Sequence, residues 1–253
     1  MKRFLALYAS LAYLFLYAPL AVLAVFSFNA SKLSVWRGFT LSWYSSVIHN
    51  SALADGAINS LIIACVATVF ATGCGTLAAY ALWKKKIAWL TQSLYLSLLT
   101  PEIVTGISLL VLFEWIFRFL HLHLGMLTVI LAHISFSLAY VVIVILARLR
   151  TFDVALEDAA LDLGANEWQV FMRITAPILM PGILAAALLC FTVSFDDYVI
   201  TSMVAGVNSE TLPMIIYGMA RKGVSPDINA LSMLITCGLG VCILLAGRLE
   251  QRA

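Results

Sequence analysis

Long uncharged stretches alternate with short charged ones along this chain. Residues 4–31, 56–83, 119–147, 174–195 and 228–247 contain no Asp, Glu, Lys or Arg. Each reaches or exceeds the ~18–20 apolar residues that cross a ~30 Å hydrocarbon core as a helix. Residues 93–117 form a sixth apolar stretch that carries Glu102 and Glu114. The pattern predicts an all-α polytopic membrane protein with six transmembrane helices. They run from about Leu5 to Phe28, Ala57 to Leu82, Ser93 to residue 117, Gly125 to Ala147, Ala176 to Ser202 and Asp227 to Ala246. Within the third, Pro101 weakens the helix beside Glu102. The second is rich in small residues (Ala71, Gly73, Gly75, Ala78 and Ala79), which let helices approach closely in lipid. Trp36, Trp43 and Tyr44 in the first long loop suit the membrane–water interface. Leu212–Ala220 reads as a short amphipathic or re-entrant piece.

Composition excludes a water-soluble globule: 63% of residues are hydrophobic and 11% charged, against about 25% charged in soluble domains. An even number of spans puts both termini on one side. Placing them in the cytoplasm gives ten Lys and Arg inside and five outside, as the positive-inside rule requires. The net charge of +2 mostly reflects this bias and implies no nucleic-acid partner. Met1-Lys2-Arg3 precedes an apolar run too long for a signal-peptide core. No small-x-small site ends that run, so it reads as an uncleaved first helix. The five cysteines all fall in predicted spans, so no disulfide framework is expected.

The longest charged segment lies between two spans, on the cytoplasmic side. Asp153, Glu157, Asp158, Asp162, Glu167 and Arg173 alternate with Val154, Leu161, Val170 and Phe171. Near three-to-four spacing predicts an amphipathic helix over 153–164, ended by Gly164. A second helical stretch leads to Pro177. A helix lying on lipid carries a basic polar face. This one is acidic, which favours a protein partner.

Ionisable groups inside a bilayer are costly and usually functional. Glu102, Asp196 and Asp197 have no basic neighbour in sequence, whereas Glu114 has Arg118 at i+4 and reads as a structural pair. Unpaired carboxylates favour a cationic substrate. Nearby aromatics (Tyr198, Phe195 and Trp115) suit cation–π contact. His121 and His123 lack the further ligands a metal site needs, and His133 reads as a hydrogen-bonded helix-contact residue. The sequence holds no P-loop, nucleophile elbow or H-E-x-x-H motif, so no catalytic residue, resident cofactor or metal is expected.

Asp158-Ala159-Ala160, Gly164, Ile174 and Pro177 resemble the EAA loop of ABC-importer permeases. The match extends through Ser27–Lys32, Thr100–Val104, Phe191–Asp197 and Gly223–Ala230 to almost the whole chain. These runs resemble the spermidine/putrescine importer permeases (the PotC/PotI type, with the MetI-like fold). Asp158 stands where the family motif has Glu, and Ala176 where it has Leu. The resemblance implies one permease domain over 1–253, with a coupling loop at about 152–174. It implies a non-enzymatic, multi-pass subunit of the inner membrane that moves polyamines by alternating access. It also implies a heterodimer with a second permease subunit, two ATPase subunits that bind ATP and Mg, and a solute-binding protein. Glu157, Asp158, Ala159, Ala160 and Gly164 would couple to the ATPase, and Glu102, Asp196, Asp197 and Tyr198 would line the substrate path. Another cationic amine, ferric ion, an oxyanion or a secondary transporter remain as alternatives.

Overall fold

The computed structural model describes residues 2–32, 35–120, 123–223 and 225–250, without the side chains of 2, 3, 120 and 239–250. Its elements are helices: α1 (Lys2–Phe26), α2 (Ser42–Ile48), α3 (Ser51–Lys85), α4 (Ala88–Leu99), α5 (Glu102–Leu120), α6 (Met126–Leu149), α7 (Ala155–Asp162), α8 (Glu167–Val170), a π-helical turn (Phe171–Thr175), α9 (Ala176–Asp196), α10 (Val199–Val204), α11 (Leu212–Arg221) and α12 (Pro226–Glu250). Four of the predicted spans appear as apolar helices long enough to cross a membrane: Phe4–Phe26, Ser51–Lys85, Met126–Leu149 and Glu167–Asp196. The sixth falls on α12, whose side chains beyond residue 238 lie outside the described residues.

The third and fifth spans depart from expectation. Instead of one helix weakened at Pro101, α4 and α5 meet at a bend of 108°. Proline supplies no N–H and drives its predecessor into extended backbone, and Thr100 sits at φ −71°, ψ 129°. The fifth helix stops at Asp196 rather than Ser202, and Asp197 is extended before α10 begins.

The chain divides into two compact units. In the first (Met1–Ala54 and Ile215–Ala253), α12 packs on α2 and α1. Buried Asn29 ties the loop after α1. Its amide donates to the Val35 carbonyl at 3.0 Å, and its side-chain oxygen accepts from the Arg37 N–H at 3.0 Å. Trp43 donates its indole N–H to the Asn29 carbonyl at 2.8 Å. The interfacial aromatics therefore also fold the loop.

In the second unit (Asp55–Met214), α3, α6 and α9 share a core of Ala71, Ala79, Val142, Ile145, Leu149 and Leu179. A second core joins α5, α6 and α10 through Phe113, Val129, Ile200 and Val204. Small residues on α3 act as expected: a Cβ on Gly75 would lie 2.6 Å from Val141 Cγ1. Gly73, by contrast, faces open space. Gly75→Ala should therefore cost about 1–3 kcal/mol through overpacking. Gly73→Ala should leave stability unchanged or raise it by ~0.5–1 kcal/mol, through helix propensity. Thermal unfolding of both variants in detergent checks this; equal melting temperatures would refute the close α3–α6 approach.

Candidate functional site

Two helix interruptions in the second unit border one cavity of about 600 Å³. One is Thr100-Pro101, between α4 and α5. The other is Asp197-Tyr198, between α9 and α10. Thr100 (φ −71°, ψ 129°) and Asp197 (φ −68°, ψ 127°) share the same extended geometry. All four predicted path residues, Glu102, Asp196, Asp197 and Tyr198, line this cavity.

The three carboxylates differ in kind. Glu102 and Asp196 are exposed and make no hydrogen bond or ion pair with any described residue. Asp197 is committed. Its Oδ2 accepts from the Thr201 N–H at 2.8 Å and the Thr201 hydroxyl at 2.7 Å, and its Oδ1 accepts from the Ile200 N–H at 3.4 Å. It thus caps the start of α10, satisfying donors that have no partner within the helix. The reading of Asp197 as a lone acid like the other two is corrected accordingly.

His133 on α6 completes this arrangement. Fully buried, it sits 2.6 Å (Nδ1) from Ser194 Oγ and 2.9 Å (Nε2) from Thr201 Oγ1. Since the Thr201 hydroxyl is already donated to Asp197, its oxygen accepts from the His133 Nε2–H. The predicted helix-contact role holds, and its partners are α9 and α10. Phe136 and Tyr140, one and two turns along α6, reach the cavity wall. Sequence reading missed them because aromatic residues in a mostly apolar helix carry no charge to mark them. Trp115 and Phe195 are not among the lining residues. Glu114 and Arg118 form no ion pair, contrary to expectation; both are exposed. His121 lies outside the described residues, and no metal-binding group of three occurs among the described ones.

The charged loop folds as α7, a tight turn, and α8. Gly164 has φ +85°. The Ala165 N–H bonds to the Ala160 carbonyl at 3.1 Å, and the Gly164 N–H bonds to the Leu161 carbonyl at 2.9 Å. This pair of bonds is a Schellman motif. It accounts for the glycine at 164. Asn166 and Gln169 then exchange side-chain-to-backbone bonds of 2.9 and 3.0 Å, a capping box that starts α8.

The acidic residues of α7 point in opposite directions. Asp158 and Asp162 are exposed, beside exposed Leu161 and Leu163. Glu157, by contrast, faces inward and is fully buried. Its Oε2 lies 2.6 Å from Lys84 Nζ, and its Oε1 accepts from the Tyr80 hydroxyl at 3.1 Å and the Thr175 hydroxyl at 2.5 Å. Burial alone would raise its pKa. The bonds from Lys84, Thr175 and Tyr80, with the Lys84 charge, outweigh burial and hold it below the ordinary 4.5.

Asp197→Asn keeps an acceptor for the α10 cap and should fold and melt close to wild type. Asp197→Ala should lose about 1 kcal/mol, as helix-cap deletions do. Equal melting temperatures for the two would remove the capping role. Glu157→Gln should cost about 2 kcal/mol near neutrality. Because the folded pKa lies below the unfolded one, that contribution is present above about pH 4.5 and is lost as pH falls through the depressed value. Melting curves on acidification should show the gap between wild type and Glu157→Gln closing below that pH. A gap constant into strong acid would contradict the assignment.

Comparison with known proteins places these features. Residues 71–252 match the family described as "Binding-protein-dependent transport system inner membrane component". The putrescine transport system permease protein PotI of Escherichia coli strain K12 is 41% identical over 253 residues, covering 96% of this chain and 89% of that protein. The spermidine/putrescine transport system permease protein PotC of the same strain is 39% identical over 244 residues, covering 95% and 90%. A crystal structure of a bacterial ABC transporter involved in the import of the acidic polysaccharide alginate aligns with a TM-score of 0.71, covering 98% of this chain and 95% of that one. At 15% identity this last likeness establishes the fold alone. The chain belongs to the binding-protein-dependent inner-membrane transport family: it is a multi-pass permease subunit with the MetI-like fold, not an enzyme.

Proposed function

We propose that this permease carries polyamines such as putrescine or spermidine through the cavity between the two helix breaks. The observation that carries the reading is the pair of partnerless carboxylates, Glu102 and Asp196, on one wall system with Tyr140 and Tyr198. Two anionic groups beside aromatic faces match a chain of methylenes bearing several ammonium groups. An oxyanion would be repelled from the same wall. The names of the relatives PotI and PotC agree with this choice. Asp197 supports the path by holding α10 in place rather than by meeting substrate.

ATP hydrolysis belongs to a separate ATPase dimer, since the sequence has no P-loop. The exposed strip of Leu156, Asp158, Leu161, Asp162 and Leu163 on α7 and its turn is the docking surface for one ATPase subunit. Glu157, Ala160 and Gly164 shape and anchor that surface from within. A second permease subunit supplies the other half of the path, and a solute-binding protein delivers the amine from outside. Both termini and α7 lie in the cytoplasm, where the Lys and Arg bias puts them.

Uptake of radiolabelled amines by the reconstituted complex tests the path. Glu102→Gln and Asp196→Asn should each raise the half-saturating concentration of binding-protein-delivered amine about tenfold or more, the worth of one charge-assisted hydrogen bond. Amine affinity of the solute-binding protein should not change. Wild-type uptake kinetics in the double variant would refute a carboxylate-lined path.

A further inference from the structure

A second cavity, of about 390 Å³, opens between α3, α4 and α6. It exists because the chain turns sharply at Lys86, where φ is +50°, and α4 then diverges from α3. Ala78, Ala81, Leu82, Leu94, Leu138 and Val142 make its wall apolar. One charged residue lines it, Lys85. The neighbouring Lys84 is already paired with Glu157. Lys85 is exposed and has no acidic partner among the described residues. Trp89, in the first turn of α4, is 69% exposed close by in sequence, as suits an interfacial tryptophan. The mouth therefore lies at the membrane end that also holds α7, and the groove runs from there into the apolar region.

The geometry points to a binding site for one anionic phospholipid, with its phosphate on Lys85 and an acyl chain in the Ala81–Leu94–Leu138 groove. An apolar gap between membrane helices is filled by lipid or by protein. An unpaired lysine lining the mouth, followed by exposed Lys86, selects a phosphate head with net negative charge over a zwitterionic one. The second permease subunit, the other possible occupant, would bury Lys85 and would need to neutralise it.

The full-length chain, purified with its partner subunits from vesicles of phosphatidylcholine and phosphatidylglycerol, provides the test. Retained lipid is measured by mass spectrometry. Wild type should retain phosphatidylglycerol in excess of its share in the vesicles. Lys85→Gln should cut that enrichment about fivefold, Lys85→Arg should preserve it, and Lys222→Gln should leave it unchanged. Ala81→Phe, which fills the groove without altering charge, should cut it similarly. Ser93→Phe on the opposite wall serves if Ala81→Phe does not fold. Undiminished enrichment in the groove-filling variant would reduce the effect to general surface attraction and overturn the site. Equal loss of both lipids in Lys85→Gln, or cross-linking of Ala81→Cys to the second permease subunit, would overturn it as well.

Discussion

A carboxylate without access to water must be neutralised where it lies, and Glu157 meets that demand by drawing three elements together. Lys84 comes from the end of α3, Tyr80 from one turn earlier, and Thr175 from the π-helical turn ahead of α9. The alternative to this convergence is an unpaired buried charge, which costs several kcal/mol. Glu157 therefore ties α7 to both α3 and the π-helical turn. Around it the ring contacts are local: Tyr80 meets Phe171 at 4.8 Å, and Trp83 meets Phe152 at 5.8 Å. The outward strip of α7 depends on the inward glutamate, because only a helix held at one rotation presents Asp158 and Asp162 to solvent together.

The cavity rests on a different constraint. A membrane helix that stops midway must satisfy its free backbone groups or leave them in a polar space. At the α9–α10 break, the Asp197 carboxylate and the Thr201 hydroxyl take up those groups, and His133 locks the pair from α6. At the α4–α5 break, Pro101 has no N–H to satisfy, and the Thr100 hydroxyl donates to the Leu96 carbonyl at 3.0 Å. Each break thus supplies its own polar chemistry. The two carboxylates left over, Glu102 and Asp196, are the ones beside the cavity with no structural duty.

Much of this was legible from charge placement alone. Uncharged runs long enough to span lipid located the membrane helices, and the charged island at 153–173 located α7. Gly164 announced the turn because its left-handed backbone favours glycine. What could not be read was direction. Glu157 and Asp158 are adjacent and chemically alike, yet one is sealed in and the other faces water. That difference depends on Lys84, 73 positions earlier in the chain. Asp196 and Asp197 are distinguished only by where α9 ends, which hydropathy blurs because α10 is equally apolar. Phe136 and Tyr140 were hidden for the same reason. In an oily helix, nothing in the composition separates a face toward lipid from a face toward a cavity.

The two sites are joined by one continuous run of helix. Thr175, bonded to Glu157, stands immediately before α9, and Asp196 ends it 21 residues later, a rise of about 31 Å at 1.5 Å per residue. α9 carries no break between them. Pro181 lies inside it, while the one irregular stretch, the π-turn at Phe171–Thr175, sits at its head. Such π-turns are rare and occur mostly as single turns inside helices, frequently at functional sites. In the proposed coupling, the Glu157–Thr175 bond is the contact through which a movement of α7 would reach the head of α9. The far end of that same helix sets the place of Asp196 in the cavity. The outward strip of α7 and the free carboxylate Asp196 thus stand at opposite ends of one helix, with buried Glu157 tying α7 to its head.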